Sequence, residues 1–127
     1  MGESNNKVIL VVDKNYGQRL LDLVGTGAIW IIDTETNRMA VKENWHLNPN
    51  PKVELSVTTF KYSAEATATE TCLSILNVID LHHGECYTGY SVFEVIGTKL
   101  NKRLRAAITE LGFNTFVKTA EGFRASR

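Results

Sequence analysis

Asp13 and Asp33 each close an apolar run, residues 8–12 and 28–32. Carboxylates at the ends of two neighbouring strands are placed to share a hard cation such as magnesium. Gly97, Thr98 and Lys99 follow another apolar run and precede a helical pattern, where backbone amides and an ammonium group can hold a phosphate. With Lys14 and Asn15 beside Asp13, these residues make one candidate pocket: Asp13, Lys14, Asn15, Asp33, Thr98 and Lys99. Each also has a structural reading. Aspartates after strands make turns or cap helices, and Gly-Thr-Lys lacks the glycine spacing of a phosphate loop.

The second candidate surface is Asp80, His82, His83, Glu85 and Cys86, which holds every common metal-ligand type within a short segment. Its spacing is none of the familiar zinc patterns, and adjacent histidines converge on one ion only if the loop turns back. Histidines that end a helix and meet its dipole are the structural account, whereas two imidazoles in a loop titrate near neutral pH and mark a functional surface. Cys86 beside a histidine is a nucleophile candidate. The residues assign no metal and no cofactor.

Alternating strands and helices must position these groups. Residues 8–12 and 28–32 are continuous apolar runs of the kind a strand buried on both faces shows, and 92–96 is a third, interrupted by Glu94. Val53, Leu55 and Val57 alternate with polar residues, as do residues 114–119, so both segments read as edge strands. Short helices are expected over 18–24, ended by Gly25 and Gly27, and over 36–45, with Thr34 as cap candidate. Clear amphipathic helices are expected over 63–79, carrying Cys72, Ile75 and Ile79 on one face, and over 100–111, ended by Gly112. Trp30 and Phe93 read as core, and Glu94 requires a partner, a proton or an exposed position.

Five strands interleaved with four helices imply an α/β three-layer sandwich with a mainly parallel sheet, the order 3-2-1-4-5 being favoured over 2-1-3-4-5 or a mixed sheet. At 127 residues the chain reads as a single domain over 1–127, with 1–6 and 120–127 as flexible tails. Ligands of open α/β sheets bind beyond the strand C-termini where the order reverses, here between strands one and four.

Composition narrows the function. Fourteen basic and fourteen acidic side chains cancel, which argues against nucleic acid as partner, and the densest basic group, Lys99, Lys102, Arg103 and Arg105, reads as a solvated helix face. The polar start lacks a signal-peptide layout, no apolar run reaches a membrane span, and two cysteines make no disulfide framework. A cytoplasmic protein with no membrane partner is expected.

The run Val-Ile-Leu-Val-Val-Asp at 8–13, Thr98 after strand four and Lys118 in strand five resemble the corresponding features of response-regulator receiver domains, and the length matches. Receivers carry a phosphoacceptor aspartate where this chain has Thr58 and Thr59, a second acid where Lys14 stands, and a proline where Thr119 stands. The resemblance therefore implies at most a degenerate, non-phosphorylated relative, and that family places strand three inside the sheet. Two functions follow from the residues. One is a non-catalytic binding or regulatory module acting through a protein partner or self-association as a homodimer. The alternative is a small metal-assisted hydrolase or phosphoryl-transfer enzyme using Asp13 and Asp33, or the 82–86 loop.

Overall fold

The computed structural model of the protein describes residues 7–13, 15–23, 27–49, 53–58, 75–76 and 90–127. Within them one mixed sheet of six strands carries the fold: β1 (Lys7–Val11), β2 (Ala28–Ile32), β3 (Glu54–Thr58), β4 (Val92–Ile96), β5 (Thr115–Lys118) and β6 (Gly122–Ser126). The order is β3-β2-β1-β4-β6-β5. β1 to β4 are mutually parallel, and β6 is antiparallel to both β4 and β5. The α-helices of the described residues are α1 (Glu35–Asn44) and α2 (Lys102–Glu110), joined by a 3-10 helix at Tyr16–Leu23 and a 3-10 turn at Trp45–Leu47.

The uninterrupted apolar run before Asp13 is explained by burial on both sides. Val8, Leu10 and Val12 face a core shared with Trp30, Phe93, Val95 and Phe123, and with Leu104 and Ile108 of α2. Ile9 and Val11 face the other way, onto Ile29, Ile31, Tyr16 and Leu20. Fully burying an aliphatic side chain such as Leu104 or Ile108 contributes about 2 kcal/mol, so α2 is held by its apolar stripe. Phe93 joins the layers, its ring centroid 6.5 Å from Trp30 and 6.0 Å from Phe113 in tilted geometry.

The parallel half follows the expected order: β3 lies outside β2, and β1 is flanked by β2 and β4. The receiver-like order with strand three inside the sheet is not adopted. The other half corrects the five-strand reading. Residues 122–126, taken from sequence as part of a polar tail, form β6 and separate β4 from β5. The alternation is there in Phe123, Arg124 and Ala125: Phe123 and Ala125 are fully buried, and Arg124 is exposed. Arg124 lies opposite Glu94 in the register. Its Nε is 3.0 Å from Glu94 Oε1, and Lys7 Nζ is 2.9 Å from the same oxygen. The carboxylate that interrupts an apolar strand thus has two cationic partners.

Local signals hold at the helix ends. The Thr34 hydroxyl accepts from the Asn37 amide at 3.1 Å, and the Asn101 side chain accepts from the Leu104 amide at 2.9 Å, capping α1 and α2 respectively. Of the helix expected over 63–79, only Ile75 and Leu76 are among the described residues. Both are helical, and Ile75 is buried in the core under α2.

The side chain of Asn37 is wholly buried and fully engaged. Its Oδ1 accepts from the Gly17 amide at 2.8 Å, and its Nδ2 donates to the carbonyls of Asp13 at 3.0 Å and Ile32 at 3.3 Å. Removing it strands one buried donor and two carbonyls, so Asn37→Ala is expected to lower the unfolding free energy by about 3 kcal/mol in urea denaturation. A loss below about 0.5 kcal/mol would show that the amide does not hold these segments together.

Candidate functional site

All five strands that run in the β1 direction end on one edge of the sheet, and β6 begins there. At that edge the chain leaves β1 toward β2 on one side and leaves β4 toward β5 on the other, so the two connections diverge and open a crevice. A cavity of about 510 Å³ lies in it, walled by Asp13, Ile96, Gly97, Thr98, Lys99, Leu100, Lys118, Thr119, Ala120, Glu121 and Gly122. This volume is in the range of sites for small organic ligands.

The floor is built by close backbone contacts. The Val12 amide donates to the Ile96 carbonyl at 2.8 Å, carrying the β1–β4 pairing one step past the strands, and the Gly97 amide donates to the Glu121 carbonyl at 2.8 Å. Gly97 has φ +108°, and a Cβ there would stand 2.8 Å from the Asp13 nitrogen. Only glycine meets both constraints without strain. Gly122 is fixed by space: a Cβ there would come 2.0 Å from the Val95 carbonyl oxygen. These two glycines let the loop after β4 and the turn between β5 and β6 close on the end of β1.

Charge is distributed unevenly over the walls. Glu121 is bonded by the guanidinium of Arg19 from the 3-10 helix, and Arg19 Nε also lies 3.7 Å from Asp22 Oδ2. The same guanidinium stacks over the Tyr16 ring, 4.7 Å from its centroid. Asp13 Oδ1 accepts from the Asn15 amide at 2.9 Å, so Asp13 makes its own turn while also lining the cavity. Lys99 and Lys118, both exposed, make no ion pair among the described residues.

The crevice therefore brings together three of the residues expected there, Asp13, Thr98 and Lys99. Asn15 is bonded to Asp13 but is not in the wall, and Lys14 lies outside the described residues. Asp33 is directed elsewhere: its Oδ1 is 2.7 Å from Arg38 Nε on α1, and it takes no part in the cavity wall. Among the described residues no three His, Cys, Asp or Glu side chains are placed to hold a metal ion together. Asp80, His82, His83, Glu85 and Cys86 lie outside the described residues. Of the basic group, Lys99 reaches the cavity whereas Arg105 stacks on Phe116 at 4.8 Å.

Thr119, Glu121 and Arg19 had no signal as site residues, because Glu121 becomes part of a wall only when β6 returns beside β4. Lys118 stood out only through the receiver resemblance. No protein-family model, no curated protein and no solved structure matches the chain. No helix among the described residues is long and apolar enough to cross a membrane.

Burial raises the Tyr16 phenol above its ordinary pKa of 10.0, against the opposing pull of Arg19. A raised folded-state pKa means that the protonated phenol stabilises the fold. That stability is complete below pH 10 and is lost as pH rises through the folded value. Tyr16→Phe is therefore expected to lose less stability than the parent between about pH 10 and 12 in denaturation curves. Parallel curves for the two proteins would remove Tyr16 from the alkaline transition.

Proposed function

We propose that the chain is a non-catalytic binding module that takes a small ligand in the cavity beyond the C-terminal ends of β1 and β4, and that a partner protein reads the ligand's occupancy at the exposed rim. The observation that carries the reading is the position of the cavity: it lies where the two connections leaving the sheet diverge, the place open α/β sheets use for ligands. Its residues are suited to holding a ligand. Two lysines, two threonines and two carboxylates offer polar contacts beside the apolar Ile96 and Leu100.

The alternative of a metal-assisted hydrolase or phosphoryl-transfer enzyme draws less support. It relies on Asp13 and Asp33 acting on one cation, and Asp33 is ion-paired with Arg38 outside the cavity wall. Self-association and a cytoplasmic setting belong to the same proposal and rest on the sequence alone.

The test is thermal denaturation against a panel of small anionic, neutral and cationic metabolites. At a hundredfold excess over Kd a bound ligand stabilises by about 2.7 kcal/mol, which moves Tm by several degrees. Ala120→Phe places a ring in the cavity mouth from an exposed wall position. It is expected to abolish the shift while leaving the Tm of the free protein within about 2 °C of the parent. A panel without a single stabilising member, or a shift that survives in Ala120→Phe, would sink the reading.

A further inference from the structure

We infer that the ligand of this cavity is a small phosphate monoester with a hydroxyl-bearing body, of the sugar-phosphate kind. The inference rests on the binding-module reading and names its ligand class. Four charged side chains line the cavity: Asp13, Lys99, Lys118 and Glu121. Counted alone they cancel, yet they are not equivalent. Glu121 is neutralised by Arg19, which bonds it from outside the cavity wall. Asp13 has one oxygen engaged by the Asn15 amide. What the walls leave for a ligand is two ammonium groups, one partly engaged carboxylate, and the hydroxyls of Thr98 and Thr119.

Each ligand charge state leaves a different remainder. Unit charges about 4 Å apart attract by roughly 4 kcal/mol at the effective dielectric of a protein surface, so both ammonium groups favour an anion. With Asp13 counted the walls keep one net positive charge, which favours an anion over a neutral ligand; among anions a phosphate monoester presents three terminal oxygens, enough to bond two separate ammonium groups at once. Asp13 accepts and repels a second anion, so the other end of the ligand carries hydroxyl donors. The cavity volume of about 510 Å³ is far more than a bare phosphate fills, leaving room for such a body against Ile96 and Leu100. Arg19 acts here as a positioning residue: by holding Glu121 it keeps that carboxylate from opposing the lysines.

Isothermal titration with ribose 5-phosphate, ribose and inorganic phosphate tests the class on the full chain. Ribose 5-phosphate is expected to bind at least tenfold tighter than inorganic phosphate, with no heat from ribose at equal concentration. Lys99→Ala and Lys118→Ala are each expected to weaken ribose 5-phosphate by about tenfold, the equivalent of roughly 1.4 kcal/mol. Asp13→Asn should weaken ribose 5-phosphate and spare inorganic phosphate. The decisive pair has opposite signs. Arg19→Gln exposes the Glu121 carboxylate and weakens binding about threefold, whereas Glu121→Gln strengthens it about threefold. A loss in both variants would mark the pair as merely structural and overturn its role. Ribose binding as well as its phosphate, or lysine variants without effect, would overturn the ligand class. If a neutral or cationic member of the metabolite panel binds and is lost in Ala120→Phe, the ligand class fails while the module reading stands. If no compound binds, both fail.

Discussion

The buried amide of Asn37 is the constraint from which the site geometry follows. A side-chain amide with no access to water must find protein partners for its donors and its acceptor, and Asn37 finds them on three separate segments. It draws the carbonyl after β1 and the carbonyl ending β2 to one point, then anchors the first turn of the 3-10 helix through Gly17. The fit is close: a Cβ at Gly17 would stand 2.7 Å from the Ala40 Cβ and 3.0 Å from the Asn37 Cα. With Gly17 fixed, Tyr16 is buried beneath Arg19, and Arg19 projects toward the turn between β5 and β6. The ion pair that neutralises Glu121 thus depends on an amide in a different part of the sheet edge.

The other wall of the cavity is set by the register of β6. A slip of one residue would turn Phe123 and Ala125 out of the core, and a slip of two would restore their faces. The two-residue slip is opposed by two further contacts: Gly122 alone can pass beneath the Val95 carbonyl, and Arg124 must stand opposite Glu94. A partly exposed ion pair contributes little stability, about 0–1 kcal/mol. Its value here is in choosing among registers, since a two-residue slip would put Gly122 or Ser126 opposite Glu94, 12% exposed, and take away its guanidinium partner.

The same distinction explains what could be read from the chain. Features with a local cause were legible: the doubly buried runs of β1 and β2, the Thr34 cap, the stripe of α2 and the crevice that the parallel order implies. Features with a distant cause were not. Residues 122–126 look polar because one face of β6 carries Arg124, and two apolar residues in five are a weak strand signal. Glu94 could be recognised as needing a partner, but that partner lay in the segment read as a tail. Asp33 and Asp13 end adjacent strands as expected. The pairing of Asp33 with Arg38 depends on the first turn of α1, which brings a residue five positions on back beside the strand end.

A chain with equal numbers of acidic and basic groups has no net field to attract an anion, yet potential within a cleft depends on which charges are already answered. Here the acids near the sheet are met by arginine: Asp33 by Arg38, Glu94 by Arg124, Glu121 by Arg19. A guanidinium is suited to this work, because its planar fork bonds a carboxylate in fixed geometry and still stacks on an aromatic ring, as Arg19 does on Tyr16. Lys7 shares Glu94 with Arg124, whereas Lys99 and Lys118 line the cavity, where a compact charge on a flexible stem can follow a ligand. Neutrality of the whole chain is therefore compatible with lysines at the cavity that make no ion pair among the described residues, because arginines meet Asp33, Glu94 and Glu121.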